Sequence, residues 1–249
     1  MTAPNLVVIL GATSAIAQAY ARRRAAAGVR FALAGRREER LKAVAADLLA
    51  RGAASAEPVV VDLSAAGEID STVETITARF GPPQEIVLAY GTLGEQALLE
   101  RDLSAARAAL EVNFTSAALW LLSFLERHDA AQPLTVVVIG SVAGDRGRRT
   151  NFIYGAAKGG LDIFVQGLAH AYAGTPMRFV MVKPGFVDTP MTAGFAKGGP
   201  LWSSPDRVAA DIERAVRRGA RVVYTPWFWW PIMAVIRRLP WFVFRRLKI

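Results

Sequence analysis

The sequence predicts an α/β fold: a single domain on a doubly wound parallel sheet of about seven strands, followed by a C-terminal amphipathic extension. Short apolar runs alternate with Ala-, Leu- and Arg-rich segments of helical length along most of the chain. The runs are apolar almost throughout rather than at every second residue, as strands covered on both faces require. At 249 residues, 53% of them hydrophobic, the chain can bury one large core and is not a disordered composition.

Taken in order, strands are expected at "NLVVIL" (5–10), "VRFALAG" (29–35), "PVVVD" (58–62), "EIVLA" (85–89), "LTVVVIGS" (134–141), "MRFVMVKP" (177–184) and "ARVVYT" (220–225). The first runs into Gly11 and then into a helical segment that closes at Gly28, a residue suited to a helix C-terminus. Because it already reads as a strand, no secretory signal pattern is expected there. No internal repeat or low-complexity linker interrupts the alternation, so residues 1–225 are expected to form the domain and 226–249 the extension.

Composition narrows the function. The absence of cysteine excludes a disulfide scaffold and a thiolate metal site, and fits a reducing, cytoplasmic setting. His128 and His170 are too few and too far apart for a metal cluster, so no metal is expected. The net charge of +9 suggests nucleic acid until its distribution is considered. Residues 1–213 hold 21 acidic and 21 basic side chains, whereas Arg214 to Ile249 hold nine basic residues, no acid and four of the six tryptophans. A basic, aromatic tail on a neutral body implies a surface that the tail touches, not a groove tracking nucleic acid.

The extension, "PWFWWPIMAVIRRLPWFVFRRLKI", does not reach the roughly 20 apolar residues of a spanning helix, because prolines and Arg237-Arg238 interrupt it. Rings alternating with arginine pairs suit the interface of an anionic membrane. The alternative is a tail packed on its own core or on a neighbouring subunit.

"VVILGATSAIAQAYA" places a strand, a glycine turn and a helix start in succession. Unpaired N–H groups at a helix N-terminus suit a pyrophosphate, with Gly11 making the turn and Thr13 and Ser14 adding hydroxyl donors. Arg36 and Arg37 follow strand two, where an acid would otherwise take a ribose 2′-hydroxyl. A base there favours a 2′-phosphate, hence NADPH over NADH; the alternative for Arg36 is a solvated loop charge. Asp62 stands where it would meet the adenine, and Gly91 and Gly94 would let backbone approach the cofactor.

Ser141 closes the fifth run at the sheet's carboxyl edge, where ligands bind in open α/β sheets. Thirteen residues on comes Tyr154, with Lys158 at i+4 on the same helix face. A phenol of pKa about 10 is a poor acid–base group at neutral pH, and a neighbouring ammonium brings it closer to working range. Asn113 is a polar residue in a mostly apolar stretch.

Gly11, Asp62, Gly91, Asn113, Ser141, Tyr154-x-x-x-Lys158 and "KPGFVDTPM" (183–191), in this order, resemble the short-chain dehydrogenase/reductases over about residues 5–225. The resemblance implies a Rossmann-type domain in which Tyr154 is the general acid and Ser141 orients the substrate carbonyl. It implies further that Lys158 binds the nicotinamide ribose and tunes Tyr154, and that Asn113 holds a relay water. Ile16 and Leu63 join the cofactor contacts, Pro184, Val187 and Thr189 frame the nicotinamide, and the protein is expected to be a homo-oligomer. The departure is at Ala15 and Ala17, which replace two glycines of the family's turn and put cofactor packing in question.

The loop "VAGDRGRRTNFIYG" (142–155) carries Arg146, Arg148 and Arg149 just ahead of Tyr154. Arginine forks suit a phosphate on the substrate; the alternative is a solvated loop. With the tail, they suggest a lipid-phosphate substrate. The block "GDRGRRTNFIYGAAKGGLD" and the ending "RRLPWFVFRRLKI" resemble the decaprenylphosphoryl-2-keto-erythro-pentose reductases. That likeness implies reduction of a lipid-linked 2-keto pentose to the arabinosyl form, a flavin-dependent oxidase as partner, and a peripheral place on the cytoplasmic membrane. Two other readings remain: a soluble reductase of acyl thioesters, sterols or simple ketones, and a non-catalytic dinucleotide-sensing scaffold, which would not need both Tyr154 and Lys158.

Overall fold

The computed structural model describes residues 4–247; residues 1–3 of the expected domain, and Lys248 and Ile249 of the expected extension, lie outside the described residues. From its start the chain alternates β1 (Leu6–Leu10), α1 (Ala15–Ala25), β2 (Arg30–Gly35), α2 (Glu38–Ala50), β3 (Ser55–Val60), α3 (Ala66–Phe80) and β4 (Glu85–Leu88). Two short helices, α4 (Gln96–Leu99) and α5 (Leu103–Leu110), lead through a π-helical turn, Glu111–Thr115, into α6 (Ser116–Glu126). Then come β5 (Leu134–Ile139), a 3-10 turn (Val142–Asp145), α7 (Phe152–Ala171) and β6 (Met177–Pro184). The two-residue strands β7 (Phe186–Val187) and β8 (Trp202–Ser203) precede α8 (Pro205–Arg218), β9 (Val222–Thr225), α9 (Trp229–Arg238) and α10 (Trp241–Phe244).

Seven strands form one parallel sheet, as predicted; their order is β3-β2-β1-β4-β5-β6-β9, and β7 pairs with β8 outside it. The order reverses between β1 and β4, which opens a crevice at their carboxyl ends. Each strand feeds two cores. In β1, Val7 and Ile9 face the layer of α1, α2 and α8, while Leu6, Val8 and Leu10 face that of α3, α6 and α7. This two-sided burial is why the strand runs are apolar at most positions.

One strand is misplaced in the sequence reading: β3 runs Ser55–Val60 rather than 58–62. It is an edge strand paired with β2 alone, so Glu57 and Pro58 fit within it, and Pro58 lacks an N–H only where no neighbour would use one. The helical stretch Leu103–Glu126 is long and apolar enough to cross a membrane by length and composition. Half of its most apolar window is buried in the fold, where Trp120, Leu121 and Phe124 belong to the core. After β9, α9 and α10 fold back onto the molecule. Trp229 and Met233 pack on Val142 of the 3-10 turn, and Gly185 leaves the space that the Trp229 ring fills.

Candidate active site

The nucleotide end forms where β1 meets α1. Gly11 has φ +89°, and a Cβ there would stand 2.8 Å from the Tyr90 Cβ and 2.9 Å from its backbone nitrogen. Conformation and the approach of the chain after β4 therefore both demand glycine. The Gly11 and Ala12 N–H groups donate to the Ala34 carbonyl at 3.0 and 3.1 Å, fixing the turn. Ser14 precedes α1 with its hydroxyl unused as a cap, and the first turn holds no acid while Arg22, Arg23 and Arg24 fill the last. Such an N-terminus fits a pyrophosphate. Thr13 stands half-buried beside it, its carbonyl accepting from Gln18 Nε2 at 3.1 Å. The two alanines differ in placement: Ala17 and Ile16 are buried in the core under α1, whereas Ala15 is half-buried.

At the ends of β2 and β3, exposed Arg36 stands 3.8 Å from Asp62. The Asp62 carboxylate accepts from the Ser64 N–H (3.0 Å) and hydroxyl (2.7 Å). These bonds, with Arg36 adding a smaller pull, hold its pKa below the ordinary carboxylate range. Leu63 is buried, and its carbonyl accepts from Trp120 Nε1 at 2.9 Å. Past β4, a Cβ on Gly91 would meet Asn113 Oδ1 at 2.6 Å. Across the crevice Pro184 ends β6, Val187 is buried in β7, and the Thr189 N–H donates to Thr192 Oγ1 at 3.2 Å.

Ser141 and Tyr154 come together through a backbone contact that the sequence reading missed. The 3-10 turn lies directly on α7: a Cβ on Gly144 would be 2.7 Å from the Gly159 nitrogen, and one on Gly155 2.9 Å from the Ala143 carbonyl. Only glycines permit this approach, and it sets Ser141, which precedes the turn, beside the Tyr154 hydroxyl. The Ser141 Oγ also accepts from the Ala143 N–H at 3.1 Å. Lys158 is buried one turn along, 6.0 Å from the Tyr154 ring centre, and donates to the Ile139 carbonyl at 3.1 Å.

The electrostatics differ from expectation. Burial pushes the Tyr154 phenol above its ordinary pKa, opposed by the Ser141 hydroxyl and then by the charge of Arg148. Burial likewise lowers Lys158, to about 8. Desolvation thus prevails where a lowering of the phenol by Lys158 was expected, and the cation whose charge pulls on Tyr154 is Arg148. Asn113 sits in the π-helical turn and is almost wholly buried. Both its amide hydrogens are engaged, with the Thr92 and Ala109 carbonyls at 2.8 Å, and its Oδ1 accepts from the Thr92 N–H at 3.1 Å. Its side chain therefore locks the loop after β4 and can offer a water only an acceptor.

Lys183 was not foreseen. It is buried in β6 and bridges Asp145 of the 3-10 turn and Asp162 of α7, each at 2.7 Å, while the Tyr224 hydroxyl donates to Asp145 at 2.7 Å. Burial works against its charge, but the two carboxylates outweigh that and hold its pKa above the ordinary value. This network braces the loop that carries the site. The signal was a lone cation inside an apolar strand, "VMVKPG".

The three loop arginines part company. Arg146 is not at the site: it donates to the Ile236 and Leu239 carbonyls at the end of α9, and its guanidinium stacks 3.7 Å over the Phe244 ring. Its expected contact with substrate is corrected to a clamp on the extension. Arg149 is exposed. Arg148 is half-buried, and of the three it alone brings its charge to bear on Tyr154.

A family described as short chain dehydrogenase matches residues 5–198. The chain is 40% identical over 241 residues to an uncharacterised oxidoreductase of Mycobacterium tuberculosis (strain H37Rv), covering 97% of this chain and 96% of that protein. It is 38% identical over 250 residues to an uncharacterised oxidoreductase of Streptomyces coelicolor, covering 99% and 97%. Among solved structures, a short-chain dehydrogenase from Sphingobium yanoikuyae in complex with NADPH superposes with a TM-score of 0.82 at 22% identity, over 98% of this chain and 96% of that one. The chain belongs to the short-chain dehydrogenase family and is an NAD(P)-dependent oxidoreductase.

Proposed function

We propose that this oxidoreductase reduces a ketone with NADPH, and that the ketone is the 2-keto group of a polyprenyl-phosphoryl pentose held at a membrane surface. The Gly11 turn and the start of α1 would hold the pyrophosphate, and Arg36 beside Asp62 would take a 2′-phosphate, which favours NADPH over NADH. The chemistry the dinucleotide supplies when bound is a hydride for the carbonyl carbon. Ser141 orients the carbonyl oxygen, and Tyr154 gives that oxygen its phenolic proton as the C=O π bond breaks and the alcohol forms. Lys158 stabilises the phenolate left behind, whose proton returns from water. Asn113 keeps the loop after β4 in place.

The observation that carries the substrate reading is the clamp at Arg146. The loop whose Arg148 charge reaches Tyr154 is also the loop to which the basic, aromatic extension is tied. Its Trp227, Trp230, Trp241 and Phe242 are 59–69% exposed, and Arg237, Arg238, Arg245 and Arg246 are exposed among them. Such a surface favours an anionic bilayer, so residues 226–249 are read as an interfacial extension on the cytoplasmic membrane. A flavin-dependent oxidase would supply the keto sugar.

The test is oxidation of NADPH and of NADH by purified protein, given the lipid-linked keto pentose beside a panel of simple ketones. Turnover of the lipid sugar alone, faster with NADPH, is expected. Turnover of simple ketones alone would leave the reductase and remove the lipid sugar.

A further inference from the structure

Arg148 is half-buried and differs in its surroundings from the other cations held inside the molecule, of which Lys158 donates to the Ile139 carbonyl. Lys183 meets two carboxylates, and Arg146 meets two carbonyls and a ring. Among the described residues, no carboxylate lies within ion-pair distance of Arg148, and its Nε is buried without a hydrogen-bond partner. The one acid whose charge reaches it, Asp145, is already shared between Lys183 and Tyr224. Three residues on, Asn151 Oδ1 is also buried without a partner, and the Asn151 side chain makes no capping bond to α7. Because amide oxygen and nitrogen interchange by a flip, that atom can equally be a donor. A desolvated guanidinium nitrogen and a spare amide, both without partners in the loop whose Arg148 charge reaches Tyr154, are costly unless something pairs with them.

We propose that Arg148 and Asn151 form an anion subsite next to the Tyr154 hydroxyl, which takes a phosphoester oxygen of the substrate and so selects phosphorylated ketones over neutral ones. The subsite rests on the reading of Tyr154 as proton donor to a ketone. Burial lowers the Arg148 pKa but leaves a guanidinium charged, so the subsite is positive at every working pH. A carboxylate beside it would have neutralised the site permanently; its absence leaves the charge for a ligand. The same chemistry could come from a lipid phosphate or a soluble phosphoester, and the probes separate the two.

The experiment is calorimetric titration of the full chain, with the dinucleotide site saturated by NADP+, using inorganic phosphate, farnesyl phosphate and neutral farnesol. Arg148→Gln should weaken farnesyl phosphate by about 10- to 100-fold, Arg148→Lys by less, and Arg149→Gln hardly at all, with farnesol unchanged throughout. Farnesyl phosphate binding more tightly than inorganic phosphate would assign a lipid source. Equal binding of the two, lost together in Arg148→Gln, would keep the subsite and assign a soluble phosphoester. Equal affinity of farnesyl phosphate for wild type and Arg148→Gln, or no saturable binding to wild type, would overturn it. Binding needs no turnover, so failure here is separate from failure of the reductase reading, which shows in NADPH oxidation.

Discussion

At the residue scale, Lys158 sets stability against function. Its ammonium is buried with one hydrogen bond, to the Ile139 carbonyl, and burial brings its pKa down to about 8 from 10.5. Between those values the folded state binds fewer protons than the unfolded one, so this group's contribution to stability improves as pH rises and is worst below about 8. Lys158→Met is therefore expected to be more stable than wild type at pH 7 by about 1–3 kcal/mol. The difference should shrink towards pH 10.5, and turnover should be lost. Urea unfolding of both proteins at pH 7 and pH 10 decides it: a variant less stable at pH 7 refutes the account. In the free protein, kcat/KM for ketone reduction should fall as pH rises through about 8, because Lys158 loses its proton there while buried Tyr154 keeps its own. Tyr154→Phe should bind NADPH normally and lose turnover by roughly 10²- to 10⁴-fold; near-normal rates would remove it as proton donor. Tyr154 and Lys158 were legible because i+4 spacing puts both on one helix face. The fates of Arg146, Arg148 and Arg149 were not, since sequence does not say that one arginine turns to the extension, one brings its charge to the phenol and one is exposed.

At the scale of elements, the close seat of the 3-10 turn on α7 determines the site's geometry. Gly144→Ala would place a Cβ 2.7 Å from the Gly159 nitrogen and the Lys158 carbonyl carbon, both backbone atoms that cannot move singly. A loss of about 1–3 kcal/mol is expected, with a fall in turnover as Ser141 shifts from Tyr154. Gly167→Ala, in the same helix with nothing near its Cβ, should instead add about 0.5–1 kcal/mol and leave activity alone. Thermal unfolding and turnover of the pair give the answer; if both alanines behave alike, the contact does not control the site. Strand runs were legible because burial on two faces leaves few polar positions, and β6 fell at its predicted bounds. The edge strand β3 was misplaced because half-exposed strands admit Glu57 and Pro58. The π-helical turn around Asn113 left no periodicity of its own in "EVNFT", and β7 and β8 are too short for any.

Across the whole molecule, charge and exposed rings concentrate at one end of the sequence. The extension is two-sided: Trp229, Met233 and Phe244 are buried, while Trp227, Trp230, Trp241 and Phe242 are exposed. Trp227 and Trp230 also wall a groove of about 320 Å³ with Arg207, Arg214 and Arg218, so basic and aromatic surface continues from α8 into the extension. Removing residues 226–249 outright would strip cover from Val142, Phe186 and Tyr224 and disturb the loop before Tyr154, confounding any loss of membrane binding with loss of fold. Substitution of the outer residues separates the two. Changing Trp227, Trp230, Trp241 and Phe242 to serine leaves the inner residues and the Arg146 clamp intact. Each exposed ring is worth little to the fold but much at a headgroup boundary. The quadruple variant should keep its melting temperature and its turnover of any water-soluble ketone, and lose most co-sedimentation with vesicles rich in anionic lipid. Vesicles of neutral lipid should bind wild type more weakly, because the exposed arginines then lack a counter-charge, and added salt should weaken anionic binding in the same way. Unchanged co-sedimentation of the variant would mean that these rings face something other than a bilayer. A second copy of the chain would be the next occupant to test, by sedimentation velocity of wild type and variant at equal concentration.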